Sequence, residues 1–107
     1  MTIIDKSNIR HKMKTFGETL RDIREKKKVL LRQVAAELEI DTALISKIER
    51  GERKVSKEQV VKLATFLNVS KEELVTKWLS DKVLDILEEE PLALKALKMS
   101  EKRLKQN

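Results

Sequence analysis

The sequence predicts an all-α protein, a bundle of five helices followed by a C-terminal helical extension. Three observations support this class. The 107 residues include only 2 glycines and 1 proline, a composition that favours helices joined by short connections. Apolar residues recur at helical spacing through most of the chain. Three Ser/Thr-x-x-Glu/Gln patterns each indicate the start of a helix.

The first two predicted helices are short and closely spaced. Thr15 and Glu18, in the segment TFGE, stand three residues apart, which is the spacing of a capping box. A first helix is therefore predicted over residues 16–27. A second helix is predicted over residues 31–38, where apolar residues recur three and four positions apart.

Asp41 and Gly51 delimit a third helix, predicted over residues 42–50. Asp41 suits the N-cap because its carboxylate accepts backbone N–H bonds, and Gly51 suits the left-handed residue that ends a helix. Further capping boxes at residues 56–59 and 70–73 predict a fourth helix and a short fifth helix.

Changes in patterning divide the chain into three parts. Residues 1–14 lack a sustained apolar period and are predicted to be a flexible basic arm. Residues 15–78 form the five-helix domain, with Trp78 as an anchor at its end. Residues 79–107 form a helical tail, and Pro91 is predicted in the first turn of the last helix.

Several classes of protein are disfavoured by composition. The absence of cysteine excludes disulfides and cysteine-based metal sites. No apolar run approaches the ~20 residues of a membrane span, and the N-terminus is too polar for a signal peptide. With one histidine and no glycine-rich phosphate loop, no catalytic site can be assembled. We therefore expect a soluble, cytoplasmic protein that is not an enzyme and needs no cofactor or metal.

Charge is unevenly distributed along the chain. The net charge is +6; residues 1–54 carry 14 basic and 9 acidic side chains, whereas residues 55–107 carry 10 and 9. A basic N-terminal half suits a polyanion such as nucleic acid. A charged helical surface that only confers solubility explains the same balance equally well.

Residues 31–50 have the pattern of a helix-turn-helix: a helix, a turn of three or four residues and a second helix. Ala35 falls where the two helices cross, and a small side chain there allows the backbones to approach. The inward apolar positions are Val34, Leu38, Ile40, Ile45 and Ile48. Such a second helix can enter the major groove of B-DNA, which is about 12 Å wide.

The segments LRDIREKK, LLRQVAAELEI and LISKIERGER resemble the phage-repressor-like (XRE, lambda-repressor-like) helix-turn-helix family. The resemblance covers residues 16–74. It implies a compact lambda-repressor-like bundle of five helices and a regulator that binds specific double-stranded DNA. The matching positions of the third helix contact bases in that family; here they are Thr42, Ala43, Ser46 and Lys47.

Further roles follow from the same resemblance. The predicted phosphate contacts are Arg32, Gln33, Arg50, Arg53 and Lys54. The sequence also departs from the family pattern. Leu30 and Leu31 replace the usual polar cap and glutamine of the second helix, and Glu39 replaces a turn glycine. Arg24 and Glu49 are predicted to form a structural ion pair between the first and third helices.

The tail is predicted to be the dimerisation element, because one recognition helix reads few base pairs and a second half-site is needed. A homodimer implies an operator with inverted-repeat symmetry. The residues predicted to dimerise are Leu79, Val83, Ile86, Leu87, Leu94 and Leu97. The acidic residues 81–90 are expected to lie away from DNA.

Several biological roles agree with this pattern. They are a controller of a restriction–modification operon, a phage repressor, an antitoxin, and a module that bridges protein partners. An antitoxin would also need a toxin as its protein partner, which nothing in the sequence indicates.

Overall fold

In a computed structural model that describes residues 13–106, all regular secondary structure in that range is helical. The helices are, in chain order, α1 Phe16–Lys26, α2 Leu31–Leu38, α3 Thr42–Glu49, α4 Lys57–Leu67, α5 Lys71–Leu87 and α6 Ala93–Lys105. The predicted all-α class is confirmed. Residues 1–12 of the predicted basic arm lie outside the described part of the chain.

Capping boxes start α1 and α4, as the sequence predicts. The Thr15 hydroxyl accepts the Glu18 amide N–H at 3.1 Å, and the Glu18 carboxylate accepts the Thr15 N–H at 2.9 Å. Ser56 and Gln59 make the same exchange at 3.1 and 3.0 Å. At α5 the Ser70 hydroxyl accepts the amide three residues later at 3.1 Å. These side chains satisfy donors that a helix leaves free in its first turn.

The hydrophobic core lies where α1 to α5 converge. α4 packs against α5 and α2, and α3 packs against α1 and α2. The buried apolar side chains are Phe16, Leu20, Val34, Ala35, Leu38, Ile45, Ile48, Val55, Val60, Leu63, Ala64, Leu67 and Leu74. Burying a side chain of this kind contributes about 1.5–3 kcal/mol, so this cluster holds the five helices in place. No residue of α6 is buried.

The fifth helix is longer than predicted. It continues for 17 residues to Leu87, through residues 79–87 that the sequence assigns to the tail. No glycine or proline interrupts this segment, and extending an existing helix is easier than nucleating another. Trp78, predicted to join the fifth helix to the tail, therefore lies inside α5 and packs on the core.

The prediction for Pro91 is wrong. α6 begins at Ala93, with Leu92 at its N-cap position. The chain uses residues 88–92 to leave α5, and Glu89 adopts a positive φ of 66° in this connection. Pro91 consequently lies in the turn ahead of the helix.

Candidate nucleic-acid interface

The α2–α3 unit is built around a close crossing at Ala35, which is 3% exposed. Glu39 ends α2 with φ 57° and ψ 42°, so a non-glycine residue occupies the left-handed conformation of this turn. The amide of Ile40 donates to the Ala35 carbonyl at 3.0 Å, which closes the turn. The turn therefore keeps its left-handed geometry although glycine is missing. A positive φ is sterically unfavourable for a residue that has a Cβ atom, such as Glu39.

α3 presents one face to the core and the other to solvent. Ile45 and Ile48 are buried and fix the helix against the bundle. The residues predicted to contact bases lie on the opposite face. Thr42, Ala43 and Lys47 are exposed there, and Ser46 is half-buried. A helix held in this way leaves the side chains of its first two turns free to enter a groove of DNA.

Asp41 occupies the N-cap position of α3, as predicted, with φ −68° and ψ 146°. Its side chain makes no capping hydrogen bond. The predicted mechanism of this cap is therefore wrong, although the helix begins where expected. Gly51, with φ 77°, confirms the predicted left-handed stop after α3.

The five predicted phosphate ligands are all exposed: Arg32, Gln33, Arg50, Arg53 and Lys54. Two of them already have partners within the chain. The Gln33 side-chain oxygen accepts the N–H of Leu30 at 2.8 Å, which is one half of a capping box, and no side chain at the N-cap position accepts the first amides of α2. The NH₂ group of Gln33 is the part left for a phosphate.

Arg50 pairs with Glu52, a contact that the sequence reasoning missed. Arg50 Nε donates to Glu52 Oε2 at 2.8 Å, and Nη2 donates to Oε1 at 3.3 Å. The hydrogen bond and the charge of Glu52 raise the pKa of Arg50, and the same pair lowers the pKa of the Glu52 carboxyl. The signal was present in the sequence, because Glu52 stands two residues after Arg50 at the helix end.

A second arginine–carboxylate pair joins α1 to α3. Arg24 Nε donates to Glu49 Oε2 at 2.7 Å, and Nη2 donates to Oε1 at 3.1 Å. Arg24 Nη1 also donates to the Val29 carbonyl at 3.1 Å. Hydrogen bonding to Glu49 raises the pKa of Arg24. The fork thus ties the α1–α2 connection to the end of α3, and the two side chains are only 12% and 6% exposed.

Gly17 was overlooked by the sequence reasoning, which considered only the capping box around it. A Cβ atom at this position would lie 2.5 Å from the carbonyl oxygens of Ile48 and Glu49. Only glycine therefore lets the first turn of α1 approach the end of α3. The single signal was a glycine just inside a predicted helix.

The tail residues predicted to dimerise lie on α5 and α6. Five of them are exposed, with exposed fractions between 37% and 76%: Leu79, Val83, Ile86, Leu94 and Leu97. Leu87 is half-buried. Val83, Ile86 and Leu87 line one side of an apolar groove, and residues 96–104 of α6 line the other. The α5–α6 pair thus has an uncovered apolar surface.

Two aspartates of the acidic segment 81–90, which is predicted to lie away from DNA, lie against the five-helix bundle. Asp81 Oδ2 accepts the N–H of Phe16 at 2.8 Å, which caps α1 from another helix. Asp85 lines a cavity together with Arg53 and Lys54. These two aspartates therefore lie beside the loop that carries predicted phosphate ligands.

Neither a metal site nor a membrane span is found in residues 13–106. No group of three His, Asp or Glu side chains in that range could hold a metal ion. None of its helices is both long enough and apolar enough to cross a bilayer.

Comparison with known proteins adds a family and a fold. The model of a helix-turn-helix family matches residues 20–74. The solved structure of the clp gene regulator ClgR from Corynebacterium glutamicum aligns with a TM-score of 0.55 over 86% of this chain and 87% of that one. At 24% identity, this likeness shows the shared helical fold.

Two curated relatives come from Bacillus subtilis (strain 168). The HTH-type transcriptional repressor RghR is 41% identical over 66 residues, which cover 61% of this chain and 49% of that protein. The uncharacterized HTH-type transcriptional regulator RghRB is 41% identical over 64 residues, covering 59% of this chain and 46% of that protein. The chain thus spans about half the length of these relatives.

Proposed function

Because the chain belongs to the helix-turn-helix family, of the XRE or lambda-repressor-like type, we propose that it is a sequence-specific DNA-binding transcriptional regulator. The observation that carries this proposal is the placement of α3. Its apolar residues Ile45 and Ile48 are buried, whereas small, hydroxyl-bearing and basic side chains occupy its outer face. That face suits the edges of base pairs in the major groove.

Each outer residue of α3 has a contact that its chemistry favours. Thr42 and Ala43 offer methyl groups to the methyl of thymine, and Ser46 donates to or accepts from either base edge. Lys47 reaches the acceptor edge of guanine. Arg32, Arg53 and Lys54 contact phosphates, and these contacts supply affinity and salt dependence without sequence information. Gln33 and Arg50 contact phosphates with the donor groups that their hydrogen bonds to Leu30 and Glu52 leave free.

The proposed regulator acts as a homodimer on an inverted repeat. The support is the apolar surface of α5 and α6, which nothing in residues 13–106 covers. A second copy of the chain would bury this surface and place two copies of α3 about one helical turn of DNA apart. The name of the relative RghR, a transcriptional repressor, favours repression as the sign of regulation.

The biological role proposed for this regulator is the control of a restriction–modification operon in the cytoplasm. A methyltransferase or restriction enzyme encoded next to this gene would support that role. A neighbouring toxin gene would support the antitoxin alternative instead.

Selection from genomic fragments tests the proposal directly. The wild-type protein should enrich fragments that share an inverted repeat, and its binding should weaken as salt is raised. Lys47→Ala should weaken binding to the selected site by about 1–3 kcal/mol, with little effect on unrelated DNA. The matched control Lys62→Ala removes an exposed lysine of α4 and should leave both affinities unchanged.

The proposal fails if no fragment is bound selectively at low micromolar protein. It also fails if Lys47→Ala lowers affinity for unrelated DNA as much as for the selected site, since that result would make α3 a phosphate-binding element only.

A further inference from the structure

The loop between α3 and α4 carries Arg53 and Lys54, and it is fixed at both ends. At its start, the amide of Gly51 donates to the Ile48 carbonyl at 3.0 Å, and the amide of Glu52 donates to the Lys47 carbonyl at 2.8 Å. These bonds end α3 but do not hold the residues that follow. The two basic side chains come next, and both are exposed.

The far end of the loop is held by α5. The Trp78 indole Nε1–H donates to the carbonyl oxygen of Val55 at 3.1 Å. Within residues 13–106, no other side chain hydrogen-bonds the backbone of residues 50–55. The Val55 side chain is itself buried. One indole therefore fixes the backbone immediately after the two cations.

The surroundings of Trp78 keep its indole in place. Its ring packs against the hydrophobic core, and the Lys82 ammonium lies over the ring, 4.5 Å from its centroid. Trp78 also lines one cavity together with Arg53 and Lys54. The partly buried indole N–H finds an acceptor, and this acceptor belongs to the loop and not to a neighbouring helix.

We propose that Trp78 is a positioning residue for DNA binding, which holds Arg53 and Lys54 beside α3 through the Val55 carbonyl. This inference rests on the proposed function. A loop that is ordered before binding loses less conformational freedom when its cations meet phosphates. Trp78 therefore acts on the phosphate contacts of the complex and not on its base contacts.

Trp78→Phe tests the inference, since phenylalanine keeps an aromatic ring and removes the donor. Because binding releases counterions, the logarithm of the binding constant falls linearly with the logarithm of the salt concentration. The slope of that line is about −0.9 for each phosphate that the protein neutralises. We expect binding about tenfold weaker at about 0.1 M salt, with a shallower salt slope. The loss should be equal for the selected operator and for unrelated DNA.

A double-variant comparison identifies the route of the effect. Arg53→Gln with Lys54→Gln removes the cations that Trp78 positions. In that background, Trp78→Phe should have no further effect on affinity or on the salt slope. The matched control Phe66→Leu changes an aromatic residue that is 38% exposed on α4, and it should leave binding unchanged.

A second replacement at position 78 separates the loss of the N–H donor from the loss of ring packing in Trp78→Phe. Benzothienylalanine at position 78 keeps the fused-ring shape and replaces the N–H by sulfur, so it should repeat the reduced salt slope with little change in melting temperature. The inference is overturned if either replacement leaves the slope at its wild-type value, or if Trp78→Phe weakens binding equally with and without Arg53 and Lys54. Absence of selective DNA binding by the wild-type protein would instead overturn the proposed function.

Discussion

At the residue scale, the charged side chains of α3 and the loop after it divide by partner. Glu49 is 7% exposed, and both oxygens of its carboxylate accept hydrogen bonds from Arg24. Lys47, two residues earlier, is exposed. The helix can therefore carry an acid close to the surface proposed to face DNA, because the charge of that acid is neutralised inside the bundle.

Glu49→Ala should destabilise the protein strongly. Removing one partner of a buried ion pair leaves the other charge uncompensated and costs roughly 3–5 kcal/mol. Urea unfolding measures this change. Arg24→Lys with Glu49 in place should also destabilise the protein, because an ammonium cannot make the forked contact. Unchanged stability together with tighter DNA binding would contradict a structural role for Glu49.

Glu52→Gln should strengthen DNA binding by roughly three- to tenfold, because it removes a negative charge and releases Arg50 for a phosphate. The lowered pKa of Glu52 keeps its carboxylate ionised in the wild-type protein at neutral pH. The pair is lost only as the pH falls through that lowered pKa, so the gain should be constant around neutrality.

Fluorescence anisotropy with unrelated duplex DNA measures the effect of Glu52→Gln. Glu72→Gln, which removes an exposed carboxylate from α5, is the control and should change affinity less. Equal gains from the two variants would show that Arg50 was not restrained by Glu52.

At the element scale, the position of α3 is set by its crossing with α1. The crossing combines the Arg24–Glu49 fork with the contact of Gly17 on the last carbonyls of α3. α5 also contributes, since Asp81 caps the start of α1. Three helices are thus fixed to one another at the end of α3, where an error of position would reach the proposed DNA contacts.

Gly17→Ala should lower stability by about 1–3 kcal/mol or more, because the added methyl group meets backbone atoms that cannot rotate away. Gly51→Ala is the matched comparison: its Cβ would meet nothing within 4 Å, so only the positive φ is unfavourable, at roughly 1–2 kcal/mol. Thermal unfolding followed by circular dichroism measures both. A smaller loss of stability for Gly17→Ala than for Gly51→Ala would show that α1 and α3 can move apart at little cost in free energy.

At the scale of the whole molecule, the exposed apolar side chains are concentrated in the C-terminal part of the chain. Of the 12 exposed large apolar side chains in the described residues, 9 lie at or beyond Leu79. An isolated helix of 13 residues, the length of α6, is marginally stable in water. A surface of this kind indicates an interaction site, and the proposed second copy would both cover it and stabilise α6.

Ile86→Lys combined with Leu97→Lys should convert the proposed dimer to a monomer. The two side chains are 76% and 37% exposed in one chain, so the five-helix core should remain folded while the helicity of the tail decreases. Loss of the second half-site should weaken operator binding by about 10²–10⁴-fold. Analytical ultracentrifugation measures the assembly.

Phe66→Lys, which adds the same charge to an exposed apolar site of α4, is the control for assembly and should leave the mass unchanged. A wild-type protein that sediments as a monomer at all concentrations would contradict the proposed dimer.

The sequence by itself determined the all-α class, the helix-turn-helix of residues 31–50 and the start of each bundle helix. Those features depend on local rules, namely capping residues, apolar periodicity and a left-handed stop at Gly51. The forked pair of Arg24 and Glu49 followed from the resemblance to a known family.

Only the tertiary structure decided the contacts between residues that are distant in the sequence. The capping of α1 by Asp81, the close approach at Gly17 and the bond from Trp78 to Val55 join residues 23 to 65 positions apart. The length of α5, by contrast, is a local property that the predicted end of the bundle at residue 78 missed, because no glycine or proline interrupts residues 71–87. Sequence periodicity identifies the inner face of a helix, whereas the partner of that face depends on how all the helices pack together.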